Sequence, residues 1–232
     1  MKKYVAYGIG AALVDTEIKV QDEDLAQMNV DKGMMTLVDE ARQAQLLAHL
    51  QGHLVKASHA SGGSAGNSMI ATAQFGGPTF MSCKVAADRD GDIYLADLEA
   101  AGVDHGLNGS RAAGTTGKCL VLITPDAERS MNTFLGISET LSVEDVHAAA
   151  IAASEYLYIE GYLVTSSTGL AAAVRARELA QDAGVKTALS FSDPGMVEYF
   201  REGMARIIGN GLDLVFCNEA EALQWGETDS LA

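Results

Sequence analysis

The stretch that sets the fold class runs from Tyr156 to Phe216. Tyr156-Leu157-Tyr158-Ile159 reads as a short buried strand, Ser167 to Ala183 as a helix ended by Gly184, and Val185 to Phe191 as a second strand. Pro194 to Ile208 then reads as a helix ended by Gly209, and Leu212 to Phe216 as a third strand. Apolar strands alternating with helices are the signature of βαβ crossovers, in which a parallel sheet carries helices on both faces.

The same rhythm extends towards the N-terminus. Val143 to Ser154 reads as a helix before this stretch, and Tyr4 to Ile9 as a buried strand that opens the chain. Between them lie a helix capped by Asp39 and running through Leu50, a helix from Ser68 to Phe75, a strand from Phe80 to Val85, and a helix from Asp92 to Ala101. Thr16 to Val20, Met34 to Val38, Lys118 to Thr124 and Arg129 to Phe134 are extended pieces that do not fit the alternation, and we read them as a small accessory sheet. At the other end, Asn218-Glu219-Ala220-Glu221-Ala222-Leu223 opens a helix and the sequence stops at Ala232, so an unfinished βα unit and a truncated chain are expected.

Composition bounds the function. The 232 residues are 48% hydrophobic and 20% charged, enough for one well-filled domain and too apolar for disorder. Sixteen Lys and Arg against 31 Asp and Glu leave a net charge of −15, the wrong sign for a nucleic-acid or anionic-membrane surface. Cys83, Cys119 and Cys217 are odd in number and far apart, which argues against a disulfide framework and reads as small core residues on strands. No signal-peptide core or spanning apolar run is read, so the expectation is a soluble, cytoplasmic protein.

Ser61-Gly62-Gly63-Ser64-Ala65-Gly66-Asn67 is the strongest local feature: a glycine-rich loop running into a helix, which lets backbone approach a ligand or simply caps the helix. It lacks the Gly-Lys-Ser/Thr ending of a phosphate loop, and an Asn side chain suits hydroxyls better than phosphate. Asp15, just past the first strand, offers a carboxylate that accepts two hydrogen bonds from a vicinal diol. Glu160, Asp193, and Asn218 with Glu219 and Glu221 all follow strands. There they are equally helix caps or members of a cleft at the strand ends. Three lookalikes fail on context. Gly8-Ile9-Gly10 has no third glycine for a dinucleotide turn. Asp88-Arg89-Asp90-Gly91-Asp92 has Ile93 where a calcium loop turns on glycine, and reads as a capped helix start. His49 and His53 lack a third zinc ligand and read as surface residues.

Taken together, the glycine loop with Asn67, the acid at Asp15 and the late Asn218-x-x-Glu221 resemble the ribokinase (PfkB) family of sugar and nucleoside kinases, from Tyr4 to Trp225. Gly62 to Asn67 with Gly76-Gly77 and Gly91 is similar to the family's first motif, and Asn218-Glu219-Ala220-Glu221 to its magnesium and phosphate motif. Lys32 to Val38 and Glu128 to Gly136 are similar to the adenosine-kinase-like branch. The resemblance implies a single incomplete domain over residues 1–232. Its fold would be α/β, a doubly wound and mostly parallel sheet flanked by helices, with a small β-sheet lid drawn from about 14–38 and 114–134 and its C-terminal portion missing. It also implies substrate contacts from Asp15, Gly62, Gly63, Ser64 and Asn67, and lid contacts from Thr133 and Leu135. Asn218 and Glu221 would hold Mg2+ through water and position the ATP phosphates, with Asp193 beside them. The implied cofactors are ATP and Mg2+, and the partner is a small nucleoside or sugar. Oligomeric state is left open between a monomer and a lid-mediated dimer.

Two departures stand out. Many relatives carry Asn where this chain has Ala11, which weakens the substrate-side network. The family's Gly-Ala-Gly-Asp motif, with its anion hole and catalytic base, has no counterpart here, so the base is expected beyond Ala232 and no catalytic residue is assigned within the chain. The expected function is ATP-dependent phosphorylation of a primary hydroxyl on an adenosine-like nucleoside or a sugar, with these 232 residues alone inactive. The alternative is a non-catalytic sugar- or nucleoside-binding protein without the phosphoryl-transfer half.

Overall fold

The computed structural model describes residues 2–52, 58–107 and 111–230; His53 and Ala232 lie outside them. Two sheets make up the molecule. The larger is a six-stranded parallel sheet built from β1 (Tyr4–Ile9), β5 (Thr79–Ser82), β6 (Val103–His105), β9 (Ser154–Glu160), β10 (Lys186–Ser190) and β11 (Leu214–Phe216). Its strand order is β11-β10-β9-β1-β5-β6. The chain leaves β1 on one side for β5 and β6 and returns on the other for β9, β10 and β11. The order therefore reverses between β1 and β9, the place where open α/β sheets bind ligands beyond their strand ends.

Helices cover both faces near the centre of this sheet. Tyr7, Ile9, Leu157, Ile159 and Leu189 pack with Ala172, Ala173 and Ala176 of α6 (Ser167–Asp182) and with Met204 and Ile207 of α8 (Arg201–Ile208). On the opposite face Ala6 and Met81 meet Ala65 and Met69 of α3 (Ser64–Gln74) and Tyr94 and Leu98 of α4 (Arg89–Ala100). The β11 edge differs: Leu214, Val215 and Phe216 are all exposed.

The smaller sheet is the accessory one read from the sequence. It has five strands in the order β3-β8-β7-β2-β4: β2 (Leu13–Lys19), β3 (Met35–Leu37), β4 (Ser58–Gly62), β7 (Gly117–Ile123) and β8 (Arg129–Phe134). Two helices, α1 (Asp22–Met28) and α2 (Glu40–His49), back it through a core of Ile18, Leu25, Met28, Leu46, Leu50, Leu120 and Leu122. The expected cap of α2 is present, with Asp39 accepting from the Arg42 amide at 2.7 Å.

Several boundaries differ from the sequence reading, each for a local reason. The glycine loop is not a free loop. Ser58 to Gly62 is strand β4, Gly63 is the N-cap, and Ser64 to Asn67 form the first turn of α3. That strand carries no β-branched residue and no Phe, Tyr or Trp, and only its pairing with β2 defines it. The helix expected over Val143 to Ser154 is a tight turn at Val143–Asp145 followed by the short α5 (Ala148–Ala152). Ser142 and Asp145 close a capping box there, and Val146 is extended, so the turn cannot propagate. Pro194 to Ile208 is two helices, α7 (Pro194–Tyr199) and α8, separated where Phe200 leaves helical geometry. α4 starts at Arg89 rather than Asp92, capped by Asp88, whose carboxylate accepts from the Gly91 amide at 2.8 Å. Cys83 follows β5 and Cys119 lies in β7, both buried as expected; Cys217 is exposed just past β11 and is no core residue.

Candidate functional site

At the switch point the backbone of β1 turns out of the large sheet, through Gly10-Ala11-Ala12, into β2 of the small one. The small sheet returns through β4 directly into α3. One carboxylate holds both crossings. Glu160, the last residue of β9, is fully buried and accepts from the Ala11 amide at 2.7 Å, the Ser64 hydroxyl at 2.6 Å and the Ala65 amide at 3.2 Å. Burial pushes its pKa up, while the hydrogen bonds from Ser64, Ala11 and Ala65 pull against that rise. The start of α3, read as an open donor site for a ligand, is thus already filled by the chain's own acid.

Gly63 makes this junction possible. Its φ is +85°, and a Cβ there would stand 2.4 Å from the Ala11 carbonyl oxygen. A Cβ on Gly62 would collide with the Asp15 carboxylate at 2.1 Å. These two glycines let β4 and the head of α3 close against Asp15 and Ala11.

Between the sheets lies a cavity of about 220 Å³. Asp15, Gly63, Ser64, Asn67, Thr133 and Leu135 all line it; Gly62 backs Asp15 from behind. The remaining wall is supplied by Ala11, Leu13, Met35, Leu37, Cys119, Arg129, Met131, Glu160, Tyr162, Thr165 and Ser192. Much of this wall is a two-residue alternation: Leu13 and Asp15 in β2, Met35 and Leu37 in β3, and Arg129, Met131 and Thr133 in β8 face inward. Val14, Thr16, Ser130 and Asn132 are buried on the other side of the same strands. That period is present in the sequence and would have pointed to Arg129, Met131, Met35 and Leu37. Glu160 and Tyr162 follow a strand end, a weaker signal.

The polar groups of this cavity are not equally free. The Thr133 hydroxyl donates to the Cys119 sulfur at 3.3 Å, and Ser64 is held by Glu160. Asp15 has no hydrogen-bond partner among the described residues, and burial pushes its pKa up to about 6, against the pull of the Arg129 guanidinium. Arg129 itself pairs with Glu17 at 3.5 Å. Asn67, on the exposed face of the first turn of α3, points no side-chain hydrogen bond at any described residue.

The late motif sits in a second, open cleft of about 380 Å³, lined by Ser190, Ser192, Val215, Phe216, Cys217, Asn218 and Glu221. Asn218 caps α9 (Glu219–Gly226), and the pair closes on itself. The Glu221 amide donates to Asn218 Oδ1 at 2.8 Å, the Asn218 amide to Glu221 Oε2 at 3.1 Å, and Asn218 Nδ2 to Glu221 Oε1 at 3.0 Å. Burial raises the Glu221 pKa, and the nearby Asp193 carboxylate raises it further. Asp193 caps α7, accepting from the Gly195 amide at 2.7 Å. Among the described residues no cluster of three or more His, Cys, Asp and Glu side chains forms a ready metal cage. Ser192 lines both cavities. The buried Tyr162 hydroxyl, which donates to the Ser192 carbonyl at 3.3 Å, has its pKa raised by burial and then by charges that include Asp193, Glu160 and Glu221.

Many solved structures share this architecture, three of them as follows. A probable sugar kinase protein from Rhizobium etli CFN 42 is 33% identical, with a TM-score of 0.92 over 99% of this chain and 69% of its own. The adenosine kinase of Sinorhizobium meliloti is 34% identical, with a TM-score of 0.91 over 98% of this chain and 69% of its own. The adenosine kinase of Schistosoma mansoni, solved in complex with 2-fluoroadenosine, shares the fold at 21% identity and a TM-score of 0.84, over 98% of this chain and 66% of its own. The model of the pfkB family of carbohydrate kinases matches residues 30–230. With that match over most of its length, and a doubly wound sheet and β lid that meet around one cavity, the chain belongs to the pfkB carbohydrate kinase family.

Proposed function

We propose that the cavity between the two sheets binds a nucleoside of the adenosine type, and that the protein acts in ATP-dependent phosphorylation of its primary hydroxyl. The observation that carries this reading is Asp15: a carboxylate in a mostly apolar cavity at the topological switch point, with no hydrogen-bond partner among the described residues. Such a group wants two hydroxyl donors, and a vicinal diol supplies them. Asn67 adds a donor and an acceptor beside it. The apolar wall of Met35, Leu37, Met131 and Leu135 fits the flat face of a base better than a bare sugar. The solved adenosine kinases at similar coverage support the same choice.

The phosphoryl donor would lie in the cleft of Asn218 and Glu221. Oxygen donors from one or two carboxylates, completed by water and phosphate, are what Mg2+ prefers, and Glu221 with Asp193 nearby fits that chemistry. The ion would neutralise charge on the phosphates. Asp15 and Asn67 would orient the acceptor, and Tyr162 and the lid would exclude water from it.

A second reading, a binding protein without turnover, is favoured by one observation: Asn218 and Glu221 satisfy each other. One experiment addresses both. Titration calorimetry of the purified chain with adenosine, inosine, guanosine, ribose and fructose is followed by a phosphorylation assay with Mg-ATP on each ligand that binds. Adenosine binding that is lost in Asp15→Ala is expected. No binding, or binding indifferent to Asp15, overturns the proposal. Phosphorylation of the bound ligand supports the kinase reading; binding with no turnover leaves the second reading standing.

A further inference from the structure

Among the described residues four other than glycine have a positive φ: Asn29, Ala127, Ser192 and Glu227. Asn29 and Glu227 are helix C-caps, and Ala127 sits in the turn joining β7 to β8; a left-handed residue is ordinary at such places. Ser192 is different. It lies just past the end of a core strand, β10, with φ +71°. Its hydroxyl is buried and has no hydrogen-bond partner among the described residues. Every other polar group of the residue is held: its amide donates to Ser190 Oγ at 3.1 Å and its carbonyl accepts from Tyr162 at 3.3 Å. The turn also needs Gly161 across from it, where a Cβ would meet the Ser190 carbonyl oxygen at 2.4 Å and Ser192 Oγ at 2.9 Å.

Strain and an orphaned buried hydroxyl on one residue call for an explanation, and the position of Ser192 supplies one. It lines both cavities. If one cavity holds the acceptor and the other the phosphoryl donor, the reacting hydroxyl must sit where they meet. We propose that Ser192 is a binding residue for that hydroxyl: its Oγ, turned from Gly161 towards the cavities by rotation about χ1, hydrogen-bonds the primary hydroxyl of the acceptor at the junction. This rests on the nucleoside reading above and adds the residue that recognises the reacting end of the ligand.

Adenosine and 5′-deoxyadenosine differ only in that hydroxyl, so they isolate the contact. Both are titrated into the 232-residue chain, its Ser192→Ala variant and its Ser192→Gly variant. Glycine is at home at this φ, which keeps the second variant folded and relieved of strain. Wild type should prefer adenosine by about three- to tenfold, the worth of one hydrogen bond, and both variants should lose that preference while binding 5′-deoxyadenosine as wild type does. A merely structural role would weaken both ligands alike and would overturn the proposal. Equal affinity of wild type for the two ligands, or a preference that survives both substitutions, overturns it too. If wild type binds neither ligand, the nucleoside reading fails and this inference falls with it; if wild type binds both through Asp15 but Ser192 is irrelevant, only the inference fails.

Discussion

The two clefts use the same vocabulary, an acid and an Asn, and arrange it in opposite ways. In the cavity between the sheets, Asp15 and Asn67 come from different elements, β2 and α3, and neither satisfies the other. In the cleft beside β11, Asn218 and Glu221 are three residues apart on one helix and engage each other through three hydrogen bonds. Capacity for a ligand resides in hydrogen-bonding groups the fold brings together but leaves unpartnered; a self-satisfied pair is first of all a helix cap. Glu160 shows the limit of that rule: it lines the cavity between the sheets yet is wholly engaged in holding the two crossings between them.

The contrast can be broken or sharpened by substitution. The largest effect is expected from Glu160→Ala, which leaves the donors of Ala11, Ser64 and Ala65 buried without an acceptor. About 3 kcal/mol of stability should be lost in urea denaturation; a loss under about 1 kcal/mol would mean the two crossings are held elsewhere. Asp15 should show the reverse pattern. Its folded-state pKa of about 6 lies above the ordinary carboxylate value, so the proton is held more tightly in the folded chain. Stability from this group is then full below about pH 4 and is lost as pH rises through about 6. Asp15→Asn should consequently stabilise the chain at pH 8 by about 1–3 kcal/mol while abolishing nucleoside binding. In wild type, adenosine affinity should decline as pH falls below about 6, and a flat profile from pH 5 to 8 would remove the carboxylate from the site. The smallest effect belongs to the self-satisfied pair: Asn218→Ala should cost about 1 kcal/mol, as the loss of a helix cap does, seen as a modest drop in Tm.

Legibility followed the range of the forces. The strands at Tyr4–Ile9 and Tyr156–Ile159 were readable because a largely buried parallel strand is mostly apolar and stands between helix signals, and Leu214–Phe216 because its residues are apolar even though the fold leaves them exposed. The caps at Asp39 and Asn218 were readable because capping is a contact within three residues. β4 was not, since Ser58 to Gly62 has no strand composition and forms only against β2. Nor was the break at Phe200, where periodicity continues through a chain that does not. Asp15, Gly63, Ser64, Asn67, Thr133 and Leu135 were named from motif likeness and all line one cavity, whereas Met35, Leu37, Arg129 and Met131 were missed although their alternation was in plain view.

By itself the sequence determined the α/β class, the presence of a second, smaller sheet, the caps and the residues with chemistry to offer, because each depends on periodicity or on neighbours a few positions away. Only the tertiary structure decided which of those residues are free. Glu160 reaches Ala11 and Ser64 across the chain and closes the donor end of α3, and Asp15 is left facing a cavity with no hydrogen-bond partner among the described residues. Whether a buried polar group is engaged or available depends on what long-range folding places within hydrogen-bond distance, and no local pattern carries that information.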